Sequence, residues 1–141
     1  MSEKAKVAVI EDDPDIADIV RFTLEAEDAQ VRVARDGVTG LALITSWAPD
    51  LVLLDVAMPQ KDGFQVLDAL RRNTRIRQMP VIMMTARNQG ADVQQALSAG
   101  ADDYLVKPFD LNALITKVRR RLAHRSAPAA PAPRPSDPVR I

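Results

Sequence analysis

The chain has no cysteine and a single histidine, His124, which excludes disulfides, thiol catalysis, Cys-ligated zinc and a histidine-built metal site. Any metal must be held by oxygen ligands. Long apolar runs are missing too: none approaches the roughly 18 residues of a membrane-spanning helix. The stretch MSEKAKVAV passes straight into a strand pattern without a signal-peptide profile. A cytoplasmic location with no membrane partner is expected. Net charge is absent as well, with 19 basic and 19 acidic side chains, so the chain lacks the basic excess of a dedicated nucleic-acid binder. That balance hides an asymmetry. Residues 1–70 carry 14 acidic and 6 basic side chains, whereas residues 71–141 carry 5 acidic and 13 basic. The two halves should attract each other on folding.

What is present fits one domain: 141 residues, 47% of them hydrophobic, can bury one substantial core. Short apolar runs alternate with segments of helical period, the pattern of β-α-β units and a parallel sheet. The runs are VAVI (7–10), VRVA (31–34), LVLL (51–54), VIMM (81–84) and YLV (104–106). VRVA alternates polar with apolar, which predicts a strand near an edge, while the middle runs are continuously apolar. Helices are predicted over 14–27, 37–47, 64–73, 88–99 and 110–124, on both faces of the sheet. Asp13 before Pro14 and Asp110 before Leu111 read as N-caps, and Gly100 as a helix C-cap. Beyond His124, SAPAAPAPRPSDPVRI places five prolines in sixteen residues with no periodicity, so residues 125–141 read as a Pro/Ala-rich tail or a truncated interdomain linker.

The polar residues at the strand ends carry the chemistry. Glu11, Asp12 and Asp13 follow the first run, Asp55 the third, Thr85 the fourth and Lys107 the fifth. In an open parallel sheet ligands bind beyond the carboxyl ends of the strands, so carboxylates, a hydroxyl and an ammonium should meet at one edge. Each alone has a plain structural explanation: a cap, a turn, a β-branched strand residue, a solvated lysine. Four strand ends together make those explanations the poorer ones. Clustered carboxylates also require an offsetting positive charge.

With VIEDD, LLDVAMPQKDG, MMTA and ADDYLVKPF in this order and spacing, residues 5–124 closely resemble the receiver domain of bacterial two-component response regulators, of the CheY-like kind. The resemblance implies a flavodoxin-like, doubly wound α/β fold with strand order 2-1-3-4-5, and a receiver domain over residues 1–124. It implies a phosphorylation-activated signalling switch: Asp55 accepts a phosphoryl group from a histidine kinase or phosphotransfer protein in a phosphorelay. Such a chain is no enzyme beyond promoting its own phosphorylation and dephosphorylation. By the same resemblance Mg2+, with Mn2+ as an alternative, is held by Asp12, Asp55 and the Ala57 backbone carbonyl, with Glu11 acting through a water. Lys107, the Thr85 hydroxyl and the Ala86 backbone amide contact the phosphoryl oxygens, Thr85 and Tyr104 form the switch, and the Lys107–Pro108 bond is cis. Asp13 is left as the helix cap.

Two other functions compete. A small phosphatase of the haloacid-dehalogenase type also uses an Asp nucleophile, but needs a second Asp where Ala57 stands and carries its acidic pair after the lysine. An inert receiver-like interaction module would have lost Asp12, Asp55, Thr85 or Lys107, and all four are present. A phosphorylation-dependent homodimer through the fourth helix, fifth strand and fifth helix is the remaining expectation. In it Asp102 and Asp103 of one copy would face Lys117 and Arg121 of the other. The kinase, the signal and the output are not written in these residues.

Overall fold

The computed structural model describes residues 4–58, 61–86 and 90–125. Ten elements alternate along the chain: β1 (Lys6–Ile10), α1 (Pro14–Ala26), β2 (Gln30–Ala34), α2 (Gly37–Trp47), β3 (Leu51–Asp55), α3 (Gly63–Arg72), β4 (Val81–Thr85), α4 (Gly90–Ser98), β5 (Asp103–Val106) and α5 (Leu111–Arg125). The strands form one parallel sheet in the order β2-β1-β3-β4-β5, as expected. VAVI, LVLL and VIMM become β1, β3 and β4, buried on both faces, while β2 is an edge with Gln30 and Arg32 exposed.

Strand alternation sorts the core into two layers. Ala8, Ile10, Val52, Leu54, Val81 and Met83 pack with Ile44 of α2, Val66, Leu67 and Leu70 of α3, and Ala96 of α4. Val7, Val9, Leu51, Leu53, Ile82 and Met84 pack with Val20 and Leu24 of α1 and Leu114 and Val118 of α5. Helices therefore cover both faces, and the winding reverses between β1 and β3. None of the described helices is long and apolar enough to cross a membrane.

The predicted caps are found where the side chains can make them. Asp13 accepts from the Asp15 and Ile16 amides at 2.9 and 3.3 Å, with Pro14 opening α1. Asp110 accepts from the Asn112 amide at 3.0 Å. Gly100 follows α4 at φ +107°, a conformation that only a residue without Cβ adopts freely. The first helix ends one residue early, at Ala26, the fourth ends at Ser98, and the fifth runs from Leu111 to Arg125; the third starts at Gly63 and ends at Arg72, its start set by the reciprocal capping box that Asp62 and Gln65 close around its first turn. Residues 88 and 89, predicted to begin the fourth helix, and the tail from 126 lie outside the described residues.

Candidate functional site

Strand register brings the chemistry together. Ile10 pairs with Leu54, so Glu11 and Asp55 emerge side by side from β1 and β3; Asp55 pairs with Met84 and Thr85 with Val106, which sets Lys107 one residue further along. The Lys107 amide bonds the Thr85 carbonyl at 2.6 Å, and the Lys107–Pro108 bond is cis, as expected. These are the carboxyl ends at which the winding reverses, the place an open α/β sheet offers to ligands.

Burial divides the groups. Glu11 is 0%, Asp55 2% and Thr85 3% exposed, whereas Asp12, Ala57 and Ala86 are exposed at the rim. Lys107 donates a hydrogen bond to Asp55 Oδ1 at 3.1 Å and lies closer still, at 2.7 Å, to Glu11 Oε1. The ammonium and Glu11 Oε1 thus form a close ion pair. The Asp13 amide donates to Glu11 Oε2 at 3.2 Å, and the Ala57 amide to Asp55 Oδ1 at 3.3 Å. Sequence reasoning paired Lys107 with Asp55 alone. Its contact with Glu11 depends on how far the chain turns after β1, which residue type and spacing do not reveal.

Charge is unbalanced in this pocket. Burial pushes Glu11 up from 4.5 to about 7, with Asp55 adding to the rise and Lys107 opposing it. Burial likewise raises Asp55, against Glu11, Lys107 and the Ala57 amide. Lys107 is pulled down by burial, but the two carboxylates outweigh that and its net direction is up. Carboxylate oxygens of Glu11, Asp12 and Asp55 all lie within 4.8 Å of one another. With its three carboxylates ionised, the cluster would carry more negative charge than the one ammonium offsets, and the donors are hard oxygens, so the group fits a divalent cation of the magnesium or calcium kind.

Two neighbouring features were not foreseen. An apolar depression of about 450 Å3 opens beside Lys107, lined by Ile16 and Ile19 of α1 together with Pro108, Phe109 and Leu111. At the start of the edge strand Lys117 pairs with Asp103 of its own chain, 2.8 Å from Oδ1, and Arg121 donates to the Asp102 backbone carbonyl at 3.0 Å. Asp102 is also held by Arg71, whose guanidinium reaches the carbonyls of Arg77, Met79 and Gly100. Of the acid and base groups expected to face a second copy, Asp103 and Lys117 pair within the chain.

Comparison with known proteins agrees with this fold. The family model of the response regulator receiver domain matches residues 7–119. The DNA-binding dual master transcriptional regulator RpaA of Synechocystis is 44% identical over 117 residues, covering 83% of this chain and 48% of that protein. The chain spans about half the length of that relative. Among solved structures, the receiver domain of Francisella response regulator 1452 superposes with a TM-score of 0.82 at 32% identity, covering 87% of this chain and 100% of that one. The Vibrio cholerae chemotaxis protein CheY4 does so with a TM-score of 0.79 at 30% identity, covering 84% and 98%. The match runs through both flanks of the pocket, from the strand before Glu11 to the helix after Lys107, and the chain belongs to the response regulator receiver domain family of two-component signalling.

Proposed function

We propose that Asp55 is the phosphoryl acceptor of this receiver, supplied by a histidine kinase or a phosphotransfer protein. The observation that carries the reading is the Asp55 carboxylate at the pocket floor, 2% exposed, with the Lys107 ammonium 3.1 Å from Oδ1. An Asp55 oxygen attacks phosphorus as the bond from phosphorus to the donor's imidazole nitrogen breaks, leaving an acyl phosphate on Asp55, and the departing imidazole takes up a proton. Asp12, Asp55 and the Ala57 carbonyl would hold Mg2+, or Mn2+ in its place, with Glu11 acting through a water. When bound, the cation offsets the negative charge that acceptor and phosphoryl group bring together. Lys107 exchanges part of its carboxylate pairing for a phosphoryl oxygen, and the Thr85 hydroxyl and Ala86 amide take the other oxygens.

The reading extends to the switch. Tyr104 pairs with Met83 and Val106 with Thr85, so Tyr104 and Thr85 are diagonal neighbours on one face of the sheet. Drawing Thr85 toward the phosphoryl group makes room for the Tyr104 ring to move inward. The apolar depression around Ile16, Ile19 and Phe109 supports docking of the donor protein beside Lys107. The chain acts only on its own phosphorylation state, in the cytoplasm. Residues 1–124 form the receiver, with no basic excess for direct nucleic-acid binding, and residues 125–141 form a tail or linker.

The test is intact-mass analysis of the full chain after exposure to Mg2+ and acetyl phosphate. One added phosphoryl group is expected on the parent and none on Asp55→Asn. Equal labelling of the two would overturn the assignment.

A further inference from the structure

Lys117 takes no part in the phosphoryl chemistry, yet its ammonium is surrounded by the switch strand. It donates to Asp103 Oδ1 at 2.8 Å and to the Tyr104 carbonyl at 2.8 Å, and sits 4.6 Å from the centroid of the Tyr104 ring. Both ends of the ion pair are mostly withdrawn from water, at 25% and 14% exposure. The Asp103 carboxylate is itself fixed by the Tyr104 amide, which donates to Oδ1 at 2.8 Å.

These contacts differ in what they depend on. The two hydrogen bonds engage the Asp103 side chain and a backbone carbonyl, and neither must move when the Tyr104 ring turns about its own side-chain bonds. The cation–π contact alone depends on where the ring is. Lys117 is therefore anchored at the edge of β5 by partners common to both ring positions, and spends its remaining attraction on one of them. A group that interacts with one state and not the other shifts the equilibrium by that difference.

We propose that Lys117 is a positioning residue that restrains the Tyr104 ring in its half-buried position and so opposes activation, setting how much of the receiver is active without phosphate. The proposal rests on the reading of Tyr104 as the element that moves inward. α5 then biases the switch directly, through one methylene chain reaching around the sheet edge. A cation–π contact at a partly exposed site corresponds to about a two- to fivefold change in such an equilibrium.

The test is titration of the Mg2+-loaded full chain with beryllofluoride, a phosphoryl mimic, followed by backbone amide NMR. Lys117→Met, which keeps the side-chain length and removes the charge, is expected to tighten apparent beryllofluoride affinity by about two- to fivefold. Lys117→Arg keeps a cation over the ring and is expected to match the parent. In a Tyr104→Ala background Lys117→Met is expected to change nothing, which separates the ring contact from the loss of the Asp103 pair. A thermal melt will report any general destabilisation, which lowers the melting temperature without tightening the ligand. Unchanged affinity in Lys117→Met, or the same change with and without the ring, overturns the restraint. Failure of the parent itself to bind beryllofluoride overturns the reading of the site, and the restraint with it.

Discussion

Glu11 has no exposed surface and shares one ammonium with a second buried carboxylate, so at neutral pH its charge is costly to the isolated fold. Its pKa is raised from 4.5 to about 7, so between those values the unfolded chain is ionised there and the folded chain holds the proton. Without a divalent cation, stability from this group is therefore present below about 4.5, is lost as pH rises to about 7 and levels off above. A cation bound by Asp12 and Asp55 favours the ionised form and opposes the loss. Added Mg2+ is expected to raise the melting temperature most above pH 7 and much less near the ordinary carboxylate range. Glu11→Gln is expected to flatten that pH dependence of the metal-free protein. Calorimetric melts with Mg2+ and with EDTA across this window check both, and an Mg2+ effect independent of pH would remove Glu11 from the account.

At the scale of elements, the segment after Asp55 folds back onto it. The Gly63 amide bonds the Val56 carbonyl at 2.9 Å, and a Cβ on Gly63 would stand 2.3 Å from the Asp55 carbonyl oxygen and 2.8 Å from Val56 Cα. Backbone lies on the far side of that contact, so a methyl group can be accommodated only by moving α3 or the end of β3. Gly63→Ala is expected to destabilise the fold by about 1–3 kcal/mol, the usual range for overpacking a close-packed site, and to slow phosphoryl labelling of Asp55 as its carbonyl shifts. Urea melts and the intact-mass assay read the two effects separately. A variant that melts with the parent would show that the α3 start yields without strain.

Across the whole molecule, the acidic first half and basic second half meet as ion pairs: Lys107 with Glu11 and Asp55, and Arg119 with Glu27. On the face of α4, β5 and α5, Asp103 and Lys117 are already paired within the chain, while Leu97 of α4 is 42% exposed. Pairing of two copies through this face on activation would then rest on apolar contact more than on exchanged charges. The expected outcome is a monomer at rest and a dimer with beryllofluoride, in sedimentation, with added salt weakening the dimer little, since screening acts chiefly on exposed charges. A charge-reversed pair, Asp103→Lys with Lys117→Asp, is expected to melt higher than either single variant because the partners lie in one chain. A dimer that dissolves on raising the salt would return the acid and base groups to the interface.

The α/β class, all five strands, most helix bounds to within a residue and the polar residues that meet at the strand ends were legible in the sequence. They follow from local rules: period-2 and period-3.6 apolar patterns, Asp and Gly at helix ends, and a polar residue directly after each buried strand. The motif set from VIEDD to ADDYLVKPF added the strand order, which alternation alone leaves open. What tertiary structure decided concerns distances between segments far apart in the chain. Lys107 meets Glu11 as well as Asp55, Gly63 lies against the Asp55 carbonyl, and Lys117 reaches Asp103 and Tyr104 of its own chain. Those outcomes depend on how tightly each loop turns and how each helix rotates against the sheet, and such rotations are set by the packing of the whole core, which no single stretch of residues encodes.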